Sequence, residues 1–260
     1  LFPRHFIKSL DPPSNYVGAK DLFSAHGKYN KECIQEILGD YQDLLPVSHR
    51  SVLQVEELPP SLVDAVYQYF IFRALRLLDG EAGKHSSMMI NVSRFNAVQG
   101  QVYDLVEEIK TQAEDHANSW SKSTRWTVSP VLTAMNEVWK REYQAHRPYS
   151  WDEVRKMLVQ AIIPIEVSLV NMKGKALDYS SRKEPLHVIA IGGLALARGL
   201  TLEGLAISYV LRKVGAGDTL LQLGRWFGYR PGYETLCRIH LTEDMISHFD
   251  YISESVEELR

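Results

Sequence analysis

Cysteine is nearly absent from this chain. Its 260 residues hold two, Cys33 and Cys237, far apart and with no zinc-ligand spacing. That excludes a disulfide framework and favours a reducing, cytoplasmic compartment. No apolar run approaches the roughly 18 residues that a membrane span needs, and the N-terminus lacks a signal-peptide pattern. An excess of one charge is missing too. The 29 basic and 32 acidic residues leave a net charge of −3, which argues against nucleic-acid binding by bulk positive charge but leaves room for a local basic groove. The remainder is ordinary for a globular protein, with 45% hydrophobic and 23% charged residues, and the length supports a substantial core.

Several self-contained chemistries are also absent. A P-loop needs G-x-x-x-x-G-K-[ST] between a strand and a helix. The nearest stretch, Gly80 to Ser86, has Leu78 at the first glycine position and His85 at the Ser/Thr position. It also follows a predicted helix and leads into a predicted strand, so it reads as a loop. No apolar strand ends in Asp-Glu. The carboxylates show no metal-binding nuclease pattern: Glu166 opens a strand without a following Glu-x-Lys, and Asp152-Glu153 opens a helix, where acids are favourable anyway. The nine histidines are scattered, with no pair at ligand spacing.

What is present is an alternation of strands and helices. Residues 1–50 are turn-rich, with Asp11-Pro12-Pro13-Ser14-Asn15 as the clearest punctuation and a short helix expected over 30–38. A strand or extended segment is expected over 51–55. Pro59-Pro60-Ser61 opens a helix through Leu78, apolar nearly all round and so expected to be buried. Ser86 to Val92 has the length of a buried strand. A helix over 98–113 follows, with Val98, Val102, Leu105 and Ile109 on one face. Two or more helices occupy 114–163, broken near Ser129-Pro130 and His146-Arg147-Pro148. Strands are expected over 166–171, 187–191, 206–211 and 236–241, then a helix from Glu243. This is an α/β pattern with a mostly parallel sheet flanked by helices, interrupted by a helical insertion. The sequence opens on Leu1 and stops at Arg260 inside an amphipathic pattern, which reads as a piece of a longer protein.

Two stretches near the C-terminus carry the candidate chemistry. Gly192-Gly193 and Ala197-Arg198-Gly199 follow the apolar strand Val188 to Ile191, and ligands of open parallel sheets bind beyond such strand ends. Glycine there lets backbone approach a phosphate or ribose; the plainer reading is a tight connection with a solvated arginine. Gln222 to Tyr233 places Arg225 and Arg230 among Gly224, Gly228 and Gly232. Arginine presents a charged planar fork to phosphate oxygens, and such a finger stabilises charge on a transferred phosphoryl group. Trp226, Phe227, Tyr229 and Tyr233 read as core aromatics. Lys173 and Lys175, after the Glu166 strand, suit either a nucleic-acid backbone or a solvated turn.

Together these stretches resemble a known family. IGGLALARGLTLEGL (191–205) looks like motif V of superfamily 2 helicases, and Gln222 to Arg230 like their motif VI. SSMMINVSRF (86–95) sits where motif IV would open the second RecA-like domain. The closer resemblance is to the Z1-domain proteins, on DTLLQLGRWFGYRPGY (218–233) and on FPRHFIKSLDPPSNYVG (2–18).

The resemblance implies the C-terminal RecA-like half of a helicase-type, DNA-dependent ATPase associated with restriction–modification or phage defence. Residues 1–58 would be an extension from an upstream domain and 59–260 the second RecA-like domain, with its insertion at about 114–163. Arg225 and Arg230 would be catalytic, reaching ATP across a cleft between domains. They stand five apart rather than three, which leaves open which one is the finger. Gly193, Arg198, Gly199, Thr201 and Gln222 would contact the cofactor side of that cleft, Thr201 standing where an acid is common. ATP and Mg²⁺ are expected in the full-length protein and none tightly bound to this portion; no metal site is expected here. Expected partners are an N-terminal RecA-like domain, DNA, and a methyltransferase or nuclease of the same defence system, with no membrane. Two alternatives stay in view: an endonuclease, as members of the family are often labelled, and an inert module that docks a methyltransferase or ATPase.

Overall fold

Short apolar runs without alternation are the mark of strands covered on both faces, and four such runs line the middle of one sheet. The structure, a computed structural model, describes residues 13, 15–170, 177–197, 201–212, 228 and 232–258. In chain order the elements begin with α1 (Ala19–Phe23), α2 (Asn30–Cys33), β1 (Ile34–Glu36), α3 (Pro60–Leu78) and β2 (Ser86–Asn91). Then come α4 (Asn96–Trp120), α5 (Pro130–Glu142), α6 (Trp151–Ile162), β3 (Ile165–Val170) and β4 (His187–Gly192). Last are α7 (Leu194–Ala197), β5 (Leu205–Val210), β6 (Arg238–Leu241) and α8 (Glu243–Glu258). The six strands form one sheet in the order β1-β6-β5-β2-β4-β3, and every neighbouring pair is parallel. Every residue of β2, β4, β5 and β6 is buried. The fold is α/β, a parallel sheet flanked by helices and consistent with a RecA-like arrangement.

Right-handed crossovers put connections that travel toward β3 on one face of the sheet and those travelling back on the other. On the first face α3 packs against α6 and rests on β5, while α4 rests on β3 and β4. The proline pair at 59–60 starts α3 without losing a hydrogen bond, since the first-turn N–H groups have no helical partner. Its apolar circumference is buried as expected: Leu62, Phe70, Ile71 and Phe72 are fully enclosed. Burial of each such side chain contributes about 1.5–3 kcal/mol. The connection from β2 to β3 runs through α4, α5 and α6. Ser129 accepts from the Leu132 N–H to start α5, and Ser150 with Glu153 forms a capping box on α6.

Three local expectations are corrected. The helix expected over 30–38 stops at Cys33, and Ile34–Glu36 instead pairs with Ile239–Leu241. A ladder against the buried strand β6 outweighs the weak helical preference of a short polar segment. Residues 51–55 form a turn and coil rather than a strand; the Val55 N–H bonds the Gln101 side chain at 2.6 Å. The helix expected to end near 113 continues to Trp120, because Ala113 and Ala117 extend its buried face. The Gly80–Ser86 stretch is a turn leading into β2, with no P-loop geometry.

At the N-terminal end of the sheet the polar groups close on one another. The Tyr69 hydroxyl donates to the Ser86 carbonyl at 2.9 Å, and Ser86 Oγ meets His187 Nδ1 at 2.9 Å. Ser87 Oγ bonds the Tyr179 hydroxyl and the Glu203 carbonyl at 2.9 and 2.7 Å. Gly204 is wedged beside them at φ 64°, where an added Cβ would lie 2.1 Å from the His85 carbonyl oxygen.

Candidate functional site

Open parallel sheets bind ligands where neighbouring strands send their outgoing connections in opposite directions. Here β2 leads away toward β3, and β5 leads the other way toward β6. The connections part between β5 and β2, so elementary topology puts the candidate crevice beyond the C-terminal ends of those two strands. A cavity of about 340 Å³ lies there. Ser93, Arg94 and Phe95 enter it from the end of β2, Arg212 from the end of β5, and His49 from the segment ahead of α3.

The two guanidiniums set its electrostatics. Arg94 is exposed and Arg212 half-buried, and no described carboxylate lines the cavity. Burial lowers the Arg212 pKa from its ordinary value, and the Arg94 charge lowers it further. Arginine keeps its proton regardless, so the crevice holds two mutually repelling positive charges. Arg94 stacks over the Phe95 ring, 4.8 Å from its centroid, which orients its planar fork. An anion between Arg94 and Arg212 would relieve their repulsion.

A set of buried bonds fixes the rim. His49 Nδ1 donates to the Pro46 carbonyl at 2.6 Å, which leaves Nε2 to accept the Ser93 hydroxyl at 2.7 Å. Ser93 Oγ in turn accepts the Phe95 N–H at 3.0 Å. The hydroxyl is therefore committed to holding the turn, and the arginines remain as the donors for a ligand. The Ser93 carbonyl accepts from Gln99 Nε2 at 2.9 Å. Asn91 joins β2 to β4 by donating to the Gly193 carbonyl at 3.3 Å, while its own buried Oδ1 has no hydrogen-bond partner among the described residues.

Of the residues singled out in the sequence, Gly193 is brought to this rim. A Cβ there would lie 2.9 Å from Gln99 Nε2 and 3.2 Å from the Ser93 carbonyl, so the glycine admits the protein's own β2 turn. Thr201 is exposed and four residues ahead of β5, toward the opposite, N-terminal end of the strands from Gly193. Arg198, Gly199, Gln222, Arg225 and Arg230 lie outside the described residues, as do Lys173 and Lys175. Sequence reasoning missed His49, Arg94 and Arg212 as site residues. Arg94 had a signal, standing inside the motif IV-like stretch directly after a buried strand. Arg212 likewise follows a strand end, whereas His49 reaches Ser93 across 44 residues with no local pattern.

Among the described residues no group of three or more His, Cys, Asp or Glu is placed to hold a metal ion. No described helix is long and apolar enough to cross a membrane. In a comparison with known families, the model of the Z1 domain matches residues 61–260. That range takes in Ser93, Arg94 and Arg212 and leaves out His49. No curated protein and no solved structure matches the chain.

Proposed function

We propose that this chain, which belongs to the Z1 domain family, acts as the C-terminal RecA-like half of a helicase-type, DNA-dependent ATPase of restriction–modification or phage-defence systems. The observation that carries the reading is the crevice between β5 and β2, where Arg94 and Arg212 meet with no described acid between them. Two guanidinium forks at a switch point, one exposed and one half-buried, suit the phosphates of a nucleic-acid strand, which supply affinity through charge and need no base-specific groove. A chain with no net positive charge then binds DNA through one local basic site.

In this reading Arg94 and Arg212 grip the backbone, and His49 holds Ser93 so that Arg94 projects from a fixed turn. Arg225 and Arg230 face a partner RecA-like domain, where they stabilise charge on the γ-phosphate. By the family resemblance, Gly193, Arg198, Gly199, Thr201 and Gln222 serve the cofactor side of that cleft. The paired guanidiniums and the absence of a described carboxylate fit a phosphate ligand; Mg²⁺ belongs to the acidic residues of the other half. ATP, when bound between the halves, would supply the nucleotide-driven closure of the two domains. A cytoplasmic methyltransferase or nuclease of the same system is the expected companion.

The test uses the protein carrying both halves. Arg225→Ala and Arg230→Ala should each leave ATP binding intact, and at least one should slow hydrolysis by more than about tenfold. Wild-type hydrolysis by both variants would refute the arginine assignment.

A further inference from the structure

The two cysteines, far apart in the sequence, come to one place in the fold. Both line a small cavity of about 20 Å³, beside Leu22, Tyr233 and Glu234. Cys33 is 1% exposed and Cys237 6%. Cys33 Sγ donates to the Glu234 carbonyl at 3.1 Å, a contact spanning 201 residues. The backbone explains the meeting. Cys33 immediately precedes β1 and Cys237 immediately precedes β6, and those strands run parallel with Ile34 opposite Ile239. In that register Cys33, the last residue of α2, comes beside Arg238, the residue after Cys237, and both side chains open on the one small cavity, the closeness that a disulfide needs.

The surroundings give such a bond a role. β1 is a three-residue edge strand held by β6 alone. The segment ahead of it reaches the same region through a single antiparallel bridge, Val17 to Gly228. The lead-in to β1 and the lead-in to β6 thus meet around the cavity that the thiols share.

We propose that Cys33 and Cys237 form a redox couple that closes to a disulfide under hydrogen peroxide and clamps the N-terminal edge strand to β6. Cys237, the more exposed thiol, attacks one peroxide oxygen as its thiolate; the O–O bond breaks, water leaves, and a sulfenic acid forms. The Cys33 sulfur then attacks the Cys237 sulfur, the S–O bond breaks, and a second water leaves with the Cys33 proton. One peroxide is reduced and two thiols are oxidised. Dithiol reductants of a reducing compartment reverse the reaction. The proposal is independent of the ATPase reading.

The chain as it stands is exposed to hydrogen peroxide while folded, then alkylated in denaturant and weighed intact. The expected product is a monomer lighter by two hydrogens and free of alkylation, with a Cys33–Cys237 linked peptide on digestion. Its Tm should rise by several degrees over the reduced form, reversibly with dithiothreitol. Cys33→Ser should stop at a Cys237 sulfenic acid trapped by dimedone. Two alkylated thiols after oxidation, separate sulfinic acids, or a linkage between two chains would overturn the proposal. The wild-type mass decides the matter even if a serine variant folds poorly.

Discussion

At the start of β2, Ser86 and Ser87 are fully enclosed and bonded to Tyr69, His187, Tyr179 and the Glu203 carbonyl. Five residues further along the same strand, Asn91 buries an Oδ1 with no partner among the described residues, and Arg94 and Arg212 stand beyond it with no described carboxylate between them. Both ends carry polar side chains, and both lie among parallel strands. At the N-terminal end the groups satisfy one another, so their worth is structural. At the C-terminal end they are left for something else to satisfy, although an unpartnered buried acceptor costs about 1–3 kcal/mol. Arg73 is an exception at the closed end, with Nε and Nη1 unpartnered among the described residues. The contrast separates residues that hold the sheet from residues that wait for a ligand.

Substitution at the closed end should therefore damage the fold, and substitution at the open end should spare it. The largest effect is expected from Gly204→Ala. Its left-handed backbone and the His85 carbonyl, 2.1 Å from an added Cβ, leave no relaxed position for a methyl group. A loss of about 3 kcal/mol or more in urea unfolding is expected. Arg94→Gln, on an exposed side chain, should stay within about 0.5 kcal/mol of wild type. A Gly204→Ala loss below that of Arg94→Gln would break the contrast.

A smaller effect is expected from pH. Burial, then the charges of Arg73 and His85, lowers the His187 pKa from 6.5 to about 3. Burial, then Arg238 and Arg141, does the same to His240, also to about 3. His240 Nε2 pairs with Gln68 Oε1 at 2.8 Å. The folded chain thus refuses protons that the unfolded chain accepts below pH 6.5. Stability from these groups is complete above that value and is lost as pH falls toward 3, by about 1 kcal/mol per pH unit for fully buried His240. The urea midpoint should drop between pH 7 and pH 5, and His187→Gln should reduce the drop. An unchanged midpoint would contradict the closed end as drawn.

Much of the framework was legible in the chain. The run Ser86 to Val92, the proline pair before α3, and the strands before Gly192 and after Gly204 all have local causes: apolar runs of strand length and turn residues at their ends. The edge strand β1 was not legible, because Ile34 to Glu36 becomes a strand only against β6, some two hundred residues on. The candidate site divides the same way. Gly193 was found from its place after an apolar strand. Arg94 and Arg212 converge only because the order β5-β2 sets their strands side by side, and strand order is a property of the whole sheet. His49 joins through one long-range bond to Ser93. Local chemistry announced the strand ends, and topology chose which of them meet.

The central claim is that Arg94 and Arg212 form a phosphate-binding crevice for nucleic acid. The most direct measurement is fluorescence anisotropy of a labelled single-stranded DNA with this chain and with an Arg94→Gln/Arg212→Gln variant, across a series of salt concentrations. The account predicts at least about a tenfold loss of affinity at low salt and a log K against log salt slope shallower by about 1.4, two phosphate contacts on a single strand, with the urea midpoint unchanged. Equal affinity and equal slope for the two proteins would contradict it.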